Sequence, residues 1–492
     1  MPRGMALAIV VLGTFGAGVS PASAAHNPYG VHLLVVPPQD IETQVTWAHS
    51  LVGDGGHVKC FFTGITAQTA GPRPEWVALL NAIYARNMIP LIRLAGVYRD
   101  GQWIKPKADA RGDYSSIANA VKAVVQRLPR KDGVPLYVEV WNEPNLDAEW
   151  SGEADAEEYA QFLVAVYRAI KSIGDDRIRV LNGGLATSPE FAREMFTKVP
   201  GSVRAFDLWA SHPYPQNHPP EYNIHDKTAA YPDCTIDAYL LELAVVEEFR
   251  GEDVRVMITE TGYNLGNQTY GFEGYPIINE ENRADYIMRA FRDYWSKWPE
   301  VVAVFPFEFC DAGGGWADFN WVYPDSETTA DGWPTKRHLQ YDYVAALAKP
   351  NDATGCISGS AFDPATGATV QQGRVAAAKR GQSPFSRAGR KRRSQAKKGS
   401  DPFLLDPFGN FLLPRLAPGS YRLQLRARYF RARWDEPVEV RAGENTVVRL
   451  PARPVGYGTV SGIAREVGTD RPLKDVRVAL LPGGRHTTSN ML

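Results

Sequence analysis

Cysteine is scarce in this 492-residue chain: Cys60, Cys234, Cys310 and Cys356 are the whole complement. Four scattered thiols do not make the disulfide framework of a small secreted scaffold, and their spacing matches no metal-ligand pattern. Buried thiols or a single bridge remain, with three pairings open. An excess of one charge is missing too. The 54 Lys and Arg balance 55 Asp and Glu, which argues against a dedicated nucleic-acid binder while leaving local patches open. After the first two dozen residues, no stretch approaches the roughly 20 apolar residues that a transmembrane helix needs. A glycine-rich phosphate loop is also absent where a doubly wound nucleotide-binding sheet would carry one. The first β-rich run leads instead into Val35-Val36-Pro37-Pro38.

What the chain does have begins with an address. Met1-Pro2-Arg3 supplies positive charge, Ala6 to Val19 is apolar and uncharged, and Ala22-Ser23-Ala24 is a small-residue cleavage pattern. Residues 1–24 therefore read as a signal peptide, and the protein as secreted or periplasmic. The 12 Trp and 22 Tyr suit either a large core or flat platforms for a ligand with apolar faces; composition does not choose.

From Tyr29 to Lys349, short β-rich runs alternate with amphipathic stretches. The strands expected are Gly30–Val36, His57–Phe62, Ile89–Leu94, Leu136–Val140, Ile178–Asn182, Phe206–Ser211, Arg255–Thr259 and Val301–Phe307. Helical spacing marks Glu75–Arg86, Tyr114–Leu128, Ala154–Ile173, Asp237–Phe249, Glu280–Trp298 and Arg337–Ala348. Eight strands alternating with helices over residues 27–350 fit an α/β class fold, a (β/α)8 TIM barrel.

Composition changes after Pro350. Short alternating strands with Gly, Pro and Asp turns suggest a small all-β sandwich over 351–453. Gly355-Cys-Ile-Ser-Gly359 is echoed by Gly458-Thr-Val-Ser-Gly462, so residues 454–492 read as the start of a second, incomplete β-repeat. The insert 379–398 carries basic residues and no acidic ones. A solvated loop is the simpler reading; contact with an anionic surface is the alternative.

Two strand ends carry the chemistry. Leu136-Tyr-Val-Glu-Val-Trp-Asn-Glu-Pro-Asn145 turns polar as the fourth strand ends, and Val254-Arg-Val-Met-Ile-Thr-Glu-Thr261 ends the seventh in a carboxylate. In a barrel, both Glu143 and Glu260 project over the face where strand ends converge. Paired carboxyls there suit glycosidic cleavage, one as proton donor and one to attack or to activate water. At a separation of about 5.5 Å two charges repel by about 3 kcal/mol at an effective dielectric of about 20. That favours a single proton shared by the pair. The loop Asp311-Ala-Gly-Gly-Gly-Trp-Ala-Asp318 offers Trp316 as a sugar-stacking platform, with Trp321 as a competitor.

Val138-Glu-Val-Trp-Asn-Glu-Pro-Asn-Leu146 together with Ile258-Thr-Glu-Thr-Gly262 resembles clan A of the retaining glycoside hydrolases. The wording around Glu143 is nearest to family 39, and a family 5-like barrel is the alternative. The resemblance implies Glu143 as acid/base, Glu260 as nucleophile and Asn142 at the sugar 2-hydroxyl. His212 and Tyr214, in Trp209-Ala-Ser-His-Pro-Tyr-Pro215, would hydrogen-bond the nucleophile. Lys59 stands where many clan members keep an Arg, whose bidentate contact a Lys cannot make. Asp406-Pro-Phe-Gly-Asn-Phe-Leu-Leu and Leu416-Ala-Pro-Gly-Ser-Tyr-Arg-Leu resemble the carboxypeptidase regulatory-like sandwich, with a spacer role expected. A carbohydrate substrate follows, with no metal, no organic cofactor, no nucleic acid and no transmembrane segment. The competing functions are a non-catalytic carbohydrate-binding or surface-attachment protein, and a transglycosylase.

Overall fold

A computed structural model of the chain describes residues 26–33, 40–110, 112–265, 274–311, 314–379, 403–455, 463–469, 471–474, 476–480 and 485–488. The expected leader, the end of the first expected strand at residues 34–36, the basic insert beyond Lys379 and the second repeat's opening at Gly458–Gly462 lie outside them.

The strands are β1 (Gly30–Leu33), β2 (His57–Phe62), β3 (Ile89–Leu94), β4 (Leu136–Val140), β5 (Ile178–Asn182), β6 (Trp209–Ser211), β7 (Val256–Thr261) and β8 (Val301–Pro306). All pair in parallel, β1 to β5 as one sheet and β6 to β8 as another. Parallel bridges Leu181–Leu208 and Leu185–Ser211 join the sheets at one seam, and Tyr29–Val304 joins them at the other.

A helix follows each strand: α1 (Ile41–Val52), α2 (Pro74–Ala85), α3 (Ser115–Val125), α4 (Ala156–Lys171), α5 (Pro189–Lys198), α6 (Tyr239–Arg250), α7 (Glu280–Arg289) and α8 (Leu339–Ala346). The last turns after α7 loosen into a π-helix over Ala290–Trp295. Helices α1 and α5 stand beyond those expected, and their starts are capped. Asp40 accepts from the Thr43 N–H at 2.7 Å, and Ser188 caps α5 ahead of Pro189. No helix among the described residues is long and apolar enough to cross a membrane.

Alternation sorts each strand into two faces. Val58, Cys60, Ile92, Leu94, Val138 and Val140 join the core packed against the helices. On the opposite face Leu91, Tyr137, Leu181, Ala210, Met257 and Phe305 form a separate apolar layer. Further along that second face stand His32, Lys59, Arg93, Glu139 and Thr259, all buried. The buried charges of Lys59, Arg93 and Glu139 thus share one end of one face.

After α8 the chain becomes all-β. Strands β9 (Gly355–Phe362), β12 (Asn410–Leu416) and β15 (Asn445–Pro451) make one mixed sheet. Strands β10 (Gly373–Lys379), β11 (Phe403–Leu404), β13 (Gly419–Ala427), β14 (Phe430–Val440) and β16 (Arg453–Pro454) make another. A spacer would stand apart; this unit is seated on α7 and α8. Tyr343 donates to Asp406 at 3.2 Å and Asn410 to Asp285 at 2.8 Å, while Asn445 exchanges two bonds with Ala348 at 2.8 and 3.0 Å. Cys356 and Leu412 belong to the core that lies beneath the helices of the α/β unit. No disulfide joins the four cysteines, all of which lie among the described residues, so the single-bridge alternative falls.

Candidate active site

The turn after β4 is held in an unusual shape. Trp141 and Glu143 have φ of 82° and 34°, in the left-handed region that costs roughly 1–3 kcal/mol for such residues. Packing fixes it. The Trp141 indole is buried edge-on against Trp150 at 5.5 Å and donates to the Glu149 carbonyl at 2.7 Å. The Glu143 N–H donates to the Gly184 carbonyl at 2.9 Å. A strained residue held this firmly points one way, and Glu143 faces the cavity.

Glu260 arrives by a different device. Ile258 pairs with Val304 and Thr261 with Pro306, so Thr259 and Glu260 together stand opposite Phe305. That extra residue is a β-bulge, which bends the strand and re-aims side chains. Strict alternation would send adjacent residues to opposite faces; the bulge lets both Thr259 and Glu260 serve one site.

The two carboxylates meet. One oxygen of each, with one nitrogen of His212, lie within 4.8 Å of one another. His212 Nδ1 is 2.8 Å from Glu143 Oε1 and 3.8 Å from Glu260 Oε2. Its short bond is therefore to Glu143, whereas the resemblance implies a bond to Glu260. Tyr214 donates to Glu260 Oε2 at 3.3 Å. Asn142, Glu143, His212, Tyr214, Glu260 and Trp316 all line one cavity of about 1150 Å³. Trp316 is 58 % exposed, while its competitor Trp321 is packed in the core.

Cations neutralise the floor. Lys59, fully buried, lies 2.9 Å from Glu139 Oε2 and 3.1 Å from Glu260 Oε1, and also donates to the Thr259 carbonyl at 3.2 Å. Arg93 lies 4.0 Å from Glu260 and 3.8 Å from Glu149, with its guanidinium over Phe61 at 4.2 Å. Burial by itself would raise the Glu260 carboxyl; Lys59 first, then His212 and Arg93, hold it well below the usual carboxylate range. Burial likewise opposes ionisation of Glu139, yet Lys59, the nearby His212 ring and the bond from Thr259 bring it to about 2. Burial lowers His212, but Glu260, Glu139 and Glu143 outweigh it and lift the ring to about 9. His32, stacked on Phe61 and 3.6 Å from Glu260, is pushed well down by burial and Lys59 and stays neutral.

Further carboxyls in the cavity behave differently. Glu308 is fully buried, with no hydrogen-bond partner among the described residues, and burial, Asp311 and Glu260 push it up to about 9. Burial raises Glu149 to about 7 against the pull of Arg93. These two are neutral or half-neutral donors beside an ionised Glu260. Glu143, His212 and Glu260 are also close enough to face one cation. Lys59 and Arg93 already occupy the Glu260 side, so a metal ion there would meet positive charge.

Gly184 sets the room available. A Cβ on it would lie 2.2 Å from His212 Nε2 and 2.7 Å from Thr259 Oγ1. Gly184→Ala is therefore expected to destabilise the fold by about 1–3 kcal/mol, read as a lower denaturation midpoint. An unchanged midpoint would mean that His212 and Thr259 yield freely.

No family model matches the chain, and no curated protein matches it. Among solved structures, the chain is similar to glycoside hydrolases. One is a family 39 glycoside hydrolase from Bacteroides cellulosilyticus WH2, at 18 % identity and TM-score 0.45, covering 65 % of this chain and 62 % of that one. Another is a monomeric β-xylosidase from Caulobacter crescentus CB15, at 18 % identity and TM-score 0.45 over 66 % and 69 %. A glucosidase from Croceicoccus marinus gives 13 % identity and TM-score 0.47 over 67 % and 69 %. The chain thus spans less than two thirds of the first of these. Likeness at this level carries no argument about activity, which rests on the site.

Proposed function

We propose that this protein is a retaining glycoside hydrolase acting on a β-linked glycoside or polysaccharide, built on a closed (β/α)8 barrel and exported through the leader at 1–24. The observation that carries the reading is the meeting of Glu143 and Glu260, with carboxylate oxygens within 4.8 Å in a roomy cavity. Retaining enzymes hold their carboxyls about 5–5.5 Å apart, whereas inverting ones need about 6.5–9.5 Å to admit a water. The seam bridges at Leu181–Leu208 and Tyr29–Val304 support closure of the strand ring.

The chemistry follows from the charges. Glu260, kept ionised, attacks the anomeric carbon while Glu143 protonates the departing oxygen. The product is an α-glycosyl ester on Glu260. Glu143, now a carboxylate, takes a proton from water, which attacks the same carbon and releases the sugar with its β configuration kept. Tyr214 steadies the nucleophile. Asn142 and Trp316, which line the same cavity, take the 2-hydroxyl and a sugar face in this reading.

The direct test is a panel of aryl β-glycosides and soluble polysaccharides, run with wild type beside the Glu143→Gln, Glu260→Gln double variant. Turnover by wild type alone is expected and names the sugar. Silence across the panel, with sugar binding intact in both proteins, would instead favour a binding protein.

A further inference from the structure

We propose that Glu139, acting through Thr259, is a positioning residue that fixes the hydrogen of His212 on Nε2 and thereby obliges one proton to lie between His212 and Glu143. Its use in catalysis rests on the glycosidase reading above; the placement of the proton does not.

Hydrogen counting along one chain of contacts gives the result. Glu139 is paired with Lys59 at 2.9 Å and, as a carboxylate, has only lone pairs to offer. Thr259 Oγ1 lies 2.6 Å from Glu139 Oε1 and so commits its single hydrogen there. The Gly184 N–H donates to the same oxygen at 3.2 Å. Having spent its hydrogen, Thr259 Oγ1 can only accept from the next group, which is His212 Nε2 at 3.0 Å. Nε2 therefore carries hydrogen. Nδ1, at 2.8 Å from Glu143 Oε1, is then either a bare lone pair or the site of a second proton. A bare lone pair facing a carboxylate makes no bond. One proton must sit between them, as Glu143 O–H donating to Nδ1 or as an imidazolium donating to the carboxylate.

Both arrangements hold the same proton, and it is the one an acid catalyst needs. In the first half-reaction it passes to the glycosidic oxygen as the C1–O bond breaks and the Glu260–C1 bond forms. What is left is an Nδ1 lone pair against the Glu143 carboxylate, a contact repaired only by taking a proton back. In the second half-reaction water supplies it, forming the new C1–O bond as the ester breaks. The relay thus drives Glu143 from acid to base. The charged and titratable groups facing His212 are Glu139, Glu143, Glu260, Lys59 and, from α6, Glu242.

Glu139→Gln is predicted to reverse the relay. Lys59 keeps the amide oxygen on its own side, so the amide N–H₂ faces Thr259. Thr259 becomes free to donate to Nε2, and His212 carries its hydrogen on Nδ1. Long-range 1H–15N NMR of the 15N-histidine-labelled full chain reads this directly, with His212 identified by loss of its signals in His212→Asn. Wild type is expected to show hydrogen on Nε2, and Glu139→Gln on Nδ1 alone. In activity, Glu139→Gln should lose about 100-fold in kcat/KM on substrates with poor leaving groups, the scale of general acid catalysis. Dinitrophenyl glycosides, whose departure needs no acid, should keep kcat/KM nearly unchanged. A variant harmed only in its fold would lose both classes together.

Thr259→Val cuts the same relay and is expected to give the same leaving-group split, should Glu139→Gln fail to fold. Hydrogen on Nδ1 alone in wild type would overturn the proposal, as would an unchanged tautomer in a folded Glu139→Gln. If the tautomers are as stated and no glycoside is turned over, the proton placement stands and the glycosidase reading falls.

Discussion

Glu260→Ala is expected to lower turnover of an aryl β-glycoside by about 10^4-fold or more, the scale on which removal of a nucleophile is felt. Added azide should restore it, with the α-glycosyl azide as product. The geometry sets the stereochemistry. Glu260 attacks from the face opposite the leaving group, and its truncation opens space on that face beside Lys59, Arg93 and Tyr214. A small anion is drawn to a pocket whose own negative charge has been removed. Glu143 and His212 remain to protonate the departing oxygen. Product configuration is read by the anomeric coupling in NMR. A β-azide would place the nucleophile elsewhere and reverse the two assignments.

Lys59→Met is expected to strike both stability and turnover. The ammonium is buried between Glu139 and Glu260, and removing it leaves two buried carboxyls without their common partner. Breaking a buried pair in this way costs about 3–5 kcal/mol, measurable by chemical denaturation near neutral pH. The pH dependence has a definite sign. Glu139 is lowered to about 2 in the folded state, against about 4.3 for a free glutamate. Its stabilisation in wild type is therefore complete above that ordinary value and lost as the pH falls toward 2. Without Lys59 this contribution disappears, so the gap between variant and wild type should be widest above pH 5 and narrow below it. A gap that is constant with pH would mean that Lys59 acts by packing alone.

Most strand positions could be read from the sequence because β-rich runs are bounded by polar residues, and six of the eight helices because their apolar spacing is regular. The other two helices also bury residues at helical spacing, Val45, Ala48 and Val52 in α1 and Phe191, Ala192, Met195 and Phe196 in α5, and Asp40 and Ser188-Pro189 mark their starts. Glu143 and Glu260 were visible because each closes a β-rich run. Lys59, Arg93 and Glu139 fall within runs, where a charge looks like an interruption. Their phase was the available clue: each alternates with residues of the helix-facing core, so each had to lie on the other strand face. Glu308 gave no such sign, since its environment depends on burial and on Glu260, which is remote in sequence. The partner of His212 was equally hidden, because it depends on a strained turn and a bulge that only the assembled strands define.

The seating of the β unit on α7 and α8 has a mechanical consequence. Between Ala346 and Gly355 the chain runs only a few residues, and Lys349 spends its ammonium on the Val344 and Leu347 carbonyls at 2.6 and 2.8 Å. The joint has little slack, since Asn445 of β15 also ties down Ala348 from the β unit. The two units therefore tumble as one body and share one fate on heating. A chain cut at Pro350 would carry an open wound where Cys356 and Leu412 had closed the core.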